Sequence, residues 1–282
     1  MRVTGALLRS THPGPSIVVT VIAIVLGIAA GLDPWRTAVL GLAILLGQFS
    51  VGLSNDAIDA RRDRIAGRRD KPLAMGAASV RSAWIAAVAT LVAALVLSAL
   101  LSGWMLAAHA VAIASAWSYN AWLKSTPASV VPFVVSFGLL PSLVTLAATD
   151  PRPAAAWAWI AGGTIGVAVH LTNVLPDLED DARTGVRGLP HRLGRRASAV
   201  IAAVALVGGA VAVLVGPVIA APGRNEPTPL AWTAFALATA IAVGGLALAL
   251  AQPPGRWVFR LVMLAALMLV IGLAATGQSL VG

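Results

Sequence analysis

Long apolar segments alternate with short polar ones along almost the whole chain. A hydrocarbon core of ~30 Å requires about 20 apolar residues per helix, and runs bounded by charged, Pro-rich or Gly-rich breaks predict nine spanning helices. The predicted spans are 16–33, 36–58, 82–101, 103–123, 129–149, 155–177, 197–220, 229–251 and 257–280. We therefore predict an all-α, multi-pass integral membrane protein forming a single domain over residues 1–282.

Polar residues interrupt this pattern in two matched groups. Two trios of Asn and Asp are spaced i, i+4, i+8, which predicts one helical face for each trio. They are Asn55, Asp59 and Asp63, and then Asn173, Asp177 and Asp181. Later pairs at the same offset of 118 residues are Gly67 and Gly185, Arg69 and Arg187, Pro72 and Pro190, and Gly76 and Gly194. The constant offset indicates an internal duplication, hence two four-helix pseudo-repeats plus a ninth helix, bundled around a central cavity.

Composition makes the acidic residues conspicuous. The chain is 59% hydrophobic and 11% charged, and eight of its eleven acidic residues lie in 56–70 and 177–181. Solvated loop charge would not explain why both copies keep the same spacing. Ionisable residues beside apolar helices therefore point to a functional site.

The basic residues predict the orientation in the membrane. With nine spans and an inside N-terminus, seventeen of the twenty basic residues fall on one side, leaving Arg36, Arg152 and Arg224 on the other. Because Lys and Arg accumulate in cytoplasmic loops, we expect the N-terminus and both acidic motifs to face the cytoplasm. The net charge of +9 reflects these flanking residues and no soluble basic domain, so we predict no nucleic-acid partner.

Other classes of site are excluded by residue type. The chain has no cysteine, and its four histidines form no spaced metal motif. His170, one turn before Asn173, is interpreted as a satisfied histidine within its helix. The first apolar run has spanning length without a cleavage signature, so we do not predict a cleaved signal peptide.

Carboxylate and amide oxygens remain as metal ligands, and such hard ligands suit Mg²⁺, which is usually held by one or two carboxylates plus substrate phosphates. The predicted metal ligands are Asp56, Asp59, Asp63, Asp177 and Asp181. All of these except Asp56 are also predicted to be catalytic. The predicted substrate ligands are Asn55, Asn173, Arg69, Lys71, Lys124 and Arg187. A diphosphate bound by metal and cations above an apolar cavity fits an isoprenyl diphosphate, whose departing diphosphate such groups would stabilise.

At these residues the chain resembles the UbiA-type intramembrane prenyltransferases. The first family signature, NDxxDxxxD, is complete from Asn55 to Asp63, and the second is similar to Asp177–Asp181 followed by Gly185, Arg187, Leu189-Pro190 and Arg192-Leu193-Gly194. A shorter family element looks like Tyr119 with Leu123-Lys124, which adds Tyr119 to the expected substrate ligands. One departure is Lys71, where the family often has Arg. This keeps the charge and loses the bidentate geometry.

The resemblance implies Mg²⁺-dependent transfer from an isoprenyl diphosphate within membrane lipid. The acceptor is not fixed by the motifs, and a small aromatic acceptor for quinone-type lipid synthesis is preferred on the breadth of the family. A UbiA-type terpene cyclase, which needs no acceptor, remains an alternative. A cation transporter would also use intramembrane carboxylates, but it usually places them near the midplane and away from arginines.

Overall fold

The computed structural model describes residues 3–183, 185–223, 226–252, 255–275 and 280–281. Over these ranges the chain is helical and no strand is present. The α-helices are α1 Val3–Ser10, α2 Pro13–Ala29, α3 Pro34–Ile65, α4 Val80–Leu101, α5 Gly103–Ala121, α6 Val131–Thr145, α7 Ala156–Val174, α8 Leu178–Arg183, α9 Leu189–Ala220, α10 Pro229–Ala251 and α11 Arg256–Ala275. Three short 3₁₀ turns are Leu123–Ser125, Pro127–Val130 and Leu175–Asp177.

Fewer helices than predicted have the length and composition of a membrane span. Six qualify over the described residues, and α1 with α2 adds a seventh if this pair, bent by 59°, forms one span. Helices α5 and α11, which correspond to the predicted spans 103–123 and 257–280, are not among them, and residues 276–279 lie outside the described ranges. The full nine-span arrangement therefore stays a prediction.

Helix α3 is longer than its predicted span. It begins at Pro34, where Asp33 caps the helix by accepting a bond from the Arg36 amide at 2.9 Å, and it continues to Ile65. Its 32 residues extend roughly 48 Å at 1.5 Å per residue, more than a hydrocarbon core of ~30 Å. The first acidic motif therefore lies on the last turns of this helix.

Both acidic segments end in the same backbone motif. Gly67 and Gly185 have φ of 68° and 86°, the left-handed conformation that a side chain disfavours. Each closes a Schellman cap, in which two amides bond back to the preceding turn. The bonds are Gly67 N to Arg64 O at 3.2 Å, Arg68 N to Asp63 O at 3.0 Å, Gly185 N to Ala182 O at 3.3 Å, and Val186 N to Asp181 O at 2.9 Å. The pairs differ by 118 residues, so the sequence repeat has a local structural counterpart.

The helices carrying the motifs each pack against several others. Helix α3 contacts α2, α4 and α5, and α7 contacts α6, α9 and α11. Glycines let α7 approach α6 closely: a Cβ added at Gly162 would lie 2.2 Å from the carbonyl oxygen of Phe137, and one at Gly166 would lie 2.4 Å from that of Phe133. Small residues at helix contacts are typical of membrane bundles. This packing fixes α7 beside α6. The second motif begins at the C-terminal end of α7.

Candidate active site

The first motif is presented by one face of α3. Asn55, Asp59 and Asp63 all lie within this helix, as their spacing predicts, and Asp56 is beside them. Asn55 is half-buried, whereas the three aspartates are buried. Burying a carboxylate is costly unless it is paired with cations or hydrogen-bond donors. The partners of these aspartates therefore define the site.

Two cations contact Asp59. Its Oδ1 accepts a hydrogen bond from Lys124 Nζ, and its Oδ2 accepts one from Arg62 Nη2 at 3.0 Å. The same Arg62 nitrogen lies 3.8 Å from Asp63 Oδ1. Burial lowers the pKa of Lys124, and the negative charge of Asp59 opposes that shift. Arg62 thus joins two motif carboxylates, while Lys124 links Asp59 to a different part of the chain.

Lys124 is held near Asp59 by the end of α5. It belongs to the 3₁₀ turn Leu123–Ser125 that follows this helix. One turn earlier, the buried Asn120 amide donates to Val51 O at 2.9 Å and to Ser54 Oγ at 3.0 Å, both on α3. These bonds fasten α5 to the motif helix and leave Lys124 within reach of the carboxylate.

Asp56 has its own cation. Its Oδ1 accepts from Lys71 Nζ at 2.7 Å and lies 3.0 Å from His12 Nε2. The other local candidate for pairing with Lys71, Asp70, instead forms two bonds with Arg68, at 2.9 and 3.0 Å. The structure thus directs Lys71 towards the buried motif.

The second motif extends over a change in helix type. Asn173 lies in the last turn of α7, Asp177 in the 3₁₀ turn Leu175–Asp177, and Asp181 in α8. The break coincides with Pro176, which lacks an amide hydrogen and whose ring crowds the preceding turn. Asn173 is exposed and Asp177 half-buried, unlike the buried Asp59. The spacing alone could not anticipate this difference, since it ignores the proline between the ligands.

The two motifs interact electrostatically. The pKa of Asp181 is raised to about 6, chiefly by burial and further by the charges of Asp177 and Asp59, while Arg62 and Arg68 act in the opposite direction. The pKa of Arg68 is raised mainly by its bonds to Asp70, with contributions from carboxylates of both motifs. The structure therefore brings charges of the first motif close to the second motif.

Two of the predicted cations lie at the surface. Arg69 and Arg187 are exposed, although they follow the motifs directly. Arg62 and Arg68, which the sequence reasoning passed over, contribute instead. For Arg62 a signal existed, because it follows Asp59 by three residues on the same helix. For His12 none existed, since 44 residues separate it from Asp56.

An aromatic group lies next to the second motif. Tyr119 packs edge-on against Phe133 and His170, with ring centroids 5.0 and 5.8 Å apart, and Phe133 lies 4.7 Å from His170. His170 is fully buried, and its Nε2 lies 3.0 Å from Ser129 Oγ. The ring is thus bonded through one nitrogen, from another segment, while its buried Nδ1 meets no partner among the described residues, so the interpretation of a satisfied histidine holds for half of the ring.

An apolar cavity lies one turn further along α6 and α7. It is a cleft between α2, α6, α7, α9 and α11 that is partly open to the outside. Its wall includes Phe137, Leu140, Trp157, Ile165 and Leu269. Phe137 and Ile165 are one turn or slightly more from Phe133 and His170. The aromatic group and this apolar space thus occupy successive levels of α6 and α7.

The donor set suits a hard cation. Within the described residues, no three His, Cys, Asp or Glu side chains converge as a self-sufficient metal site. The available ligands are the carboxylates of Asp59, Asp63, Asp177 and Asp181. Mg²⁺ commonly takes one or two carboxylates and completes its shell with phosphate oxygens and water, so this arrangement fits it better than a metal that needs a full protein cage.

Comparison with known proteins identifies the family. The model of the UbiA prenyltransferase family matches residues 16–267. The chain belongs to the UbiA prenyltransferase family. No curated protein matches it, but solved structures in and around the family share the fold.

Three of these structures have TM-scores of 0.72 to 0.75. A UbiA homologue from Aeropyrum pernix K1 is 17% identical, with TM-score 0.75, 91% of this chain and 96% of that chain covered. A UbiA homologue from Archaeoglobus fulgidus, bound to GPP and Mg²⁺, is 15% identical with TM-score 0.72, covering 96% and 99%. A structure of digeranylgeranylglyceryl phosphate synthase is 16% identical with TM-score 0.72, covering 98% and 99%. At these identities the similarity establishes the fold.

Proposed function

We propose that the protein transfers an isoprenyl group from an isoprenyl diphosphate to a small acceptor, with Mg²⁺ bound between the two acidic motifs. The observation that carries this proposal is the convergence of Lys124 and Arg62 on Asp59. Asp181 of the second motif is near enough to interact with the charges of Asp59 and Arg62. Family membership supports prenyl transfer in general, and the Archaeoglobus fulgidus homologue binds GPP and Mg²⁺.

Each acidic motif would supply carboxylates to one side of the site. We assign Asp59 and Asp63 to one side and Asp177 and Asp181 to the other as metal ligands. Bound Mg²⁺ would neutralise the diphosphate and stabilise its departure. Asp56 was also predicted to bind metal, but its carboxylate is engaged by Lys71 and His12.

The cations would stabilise the leaving group. Lys124 and Arg62 already meet carboxylate oxygens, and the same donors suit phosphate oxygens. As the allylic C–O bond breaks, negative charge accumulates on the diphosphate, and donors fixed there lower the barrier. The other proposed diphosphate ligands are Asn55, Asn173, Arg69, Lys71 and Arg187. Those that are exposed would contact the diphosphate from the edge of the site.

The apolar level would hold the hydrocarbon. We place the reacting carbon near Tyr119 and the isoprenyl chain along the cavity that includes Phe137 and Ile165. Apolar walls exclude water, which would otherwise capture the allylic cation. In the proposed topology all nine long helices cross the membrane, in two four-helix halves and a ninth helix, with the N-terminus and both motifs on the cytoplasmic side.

A small aromatic acceptor is our preferred second substrate, and cyclisation is the competing outcome. A transporter is disfavoured because the carboxylates are paired with Lys and Arg, which repel a passing cation. The test incubates purified protein with Mg²⁺ and radiolabelled isoprenyl diphosphates of increasing length, with and without phenolic and naphthoic acids. We expect Mg²⁺-dependent, acceptor-dependent prenylated product. A cyclic hydrocarbon formed without acceptor would establish cyclisation, and no consumption of any diphosphate would refute the proposal.

A further inference from the structure

His12 adopts a backbone conformation that L-residues disfavour. It lies between α1 and α2, where the chain bends by 59°, with φ 53° and ψ 61°. It is the sole non-glycine residue with positive φ in the described parts of the chain. Although it occupies the N-cap position of α2, its side chain makes no capping bond. Strained residues of this kind tend to cluster at functional sites, so the use of the imidazole is informative.

The imidazole instead reaches the buried motif on α3. His12 Nε2 lies 3.0 Å from Asp56 Oδ1 and 3.4 Å from Lys71 Nζ, and the Lys71 ammonium donates to the same oxygen at 2.7 Å. The Asp56 side chain is 2% exposed, whereas those of Lys71 and His12 are 17% and 40% exposed. The buried Asp56 Oδ1 thus contacts both the imidazole of His12 and the ammonium of Lys71.

The bend is also docked against α3 by its backbone. A Cβ added at Gly52 would lie 2.7 Å from both carbonyl atoms of Thr11, so only glycine permits this approach. Gly52 precedes Asp56 by four residues, one helical turn on the same face. The bend is therefore fixed at two successive levels of the motif helix. In addition, Ala6 of α1 is buried in one cluster with Leu73, which follows Lys71.

Lys71 occupies a position relevant to the site. Besides bonding to Asp56, it lies near enough to Asp63 for their opposite charges to interact. A lysine side chain is flexible and carries a point charge, so it contributes most when its position is restricted before the ligand arrives. The contact with Asp56 supplies that restriction.

We propose that His12 is a positioning residue, which together with Asp56 holds the Lys71 ammonium at the diphosphate site. This inference rests on the proposed function for the identity of the ligand. It gives Asp56 the role of fixing Lys71 in place of binding metal, and it makes the α1–α2 bend part of the site.

The reactivity of the lysine amines can report whether Lys71 is held in place. The chain's two lysines are Lys71, paired with Asp56, and Lys124, paired with Asp59. Reductive methylation followed by peptide mass spectrometry gives a rate for each amine, and Lys124 serves as the internal control. We expect His12→Gly, which suits the positive φ and removes the imidazole, to raise the Lys71 rate by about threefold or more while Lys124 is unchanged.

A second pair of variants perturbs the bend without touching the trio. Gly52→Ala should push Thr11 away and likewise expose Lys71, because its Cβ has no room. Gly14→Ala is the matched control, since a Cβ there meets nothing within 4 Å. Unchanged Lys71 labelling in both His12→Gly and Gly52→Ala, or an equal rise at both lysines, would overturn the proposal.

A double-mutant cycle distinguishes positioning from simple stabilisation of the fold. We expect His12→Gly to lower kcat/KM for the isoprenyl diphosphate by about tenfold, and by less than about twofold in the Lys71→Ala background. A tenfold loss in both backgrounds would mean that His12 does not act through Lys71. The labelling result needs no isoprenyl substrate. If the wild-type protein consumed none while His12→Gly selectively exposed Lys71, the proposed function would fail and the holding of Lys71 would stand.

Discussion

Lys124 donates a hydrogen bond to Asp59 from the turn that follows α5. This contact joins the short sequence element containing Tyr119 and Lys124 to the acidic motif on α3, 65 residues away. A cation fixed there compensates the buried carboxylate and lies where a diphosphate bridged by metal would be bound. The relationship explains why a lysine outside both acidic motifs belongs to the same site.

Neutralising Lys124 should therefore damage catalysis more than folding. We expect Lys124→Met, which keeps the length of the side chain, to lower kcat by on the order of 10² to 10³, the usual effect of removing one donor to developing negative charge. Lys124→Arg should recover part of this loss because the charge is kept. The measurement is turnover of isoprenyl diphosphate, with the exposed Arg81→Ala as control. Wild-type turnover by Lys124→Met would remove Lys124 from the site.

The motif aspartates should be needed from both halves. We expect Asp59→Ala and Asp177→Ala each to reduce turnover by at least about 10², because a metal ligand is lost from one side of the diphosphate. Asp150→Ala is a suitable control, since its side chain is 74% exposed in a surface pair with Arg152. Circular dichroism should show that all three variants are folded. Near-normal activity in either motif variant would contradict its assignment.

Close packing of α6 and α7 gives a prediction about stability. Gly162→Ala places a Cβ 2.2 Å from the carbonyl oxygen of Phe137, whereas the Cβ of Gly163→Ala meets Val134 at ordinary contact distances of 3.4 and 3.8 Å. We expect Gly162→Ala to cost about 2 kcal/mol and to lower the apparent Tm in detergent by roughly 5 °C, since the helices must separate. Gly163→Ala should change the Tm by less than half as much. Equal Tm values would show that the helices do not pack this closely.

The sequence anticipated the site unevenly. The positions Asn55, Asp59 and Asp63 were readable because a continuous helix converts a spacing of four into one face. The sequence repeat also pairs Gly67 with Gly185, and in the structure both end their segments with equivalent caps. Both inferences depend on local periodicity.

Contacts between distant segments could not be read in this way. The His12 contact with Asp56 depends on the angle at which α1 meets α2, and 44 residues separate the two positions. The count of nine spans stays a prediction, since six or seven helices of the described residues have the length and composition of a membrane span. The average hydrophobicity of a helix does not show which other helices it contacts.

The break at Pro176 yields the last prediction. Residues on both sides of it have helical dihedral angles, with φ and ψ of −51° and −41° at Leu175 and −49° and −44° at Leu178. Replacing the proline by alanine should therefore let α7 continue through Asp177, which stabilises the helix but rotates the carboxylate. We expect Pro176→Ala to keep or raise the apparent Tm while turnover falls at least about tenfold, because small displacements of a catalytic group are costly. Pro217→Ala, which removes a proline from inside α9, is the control and should retain activity. Full activity of Pro176→Ala would show that the break does not position Asp177.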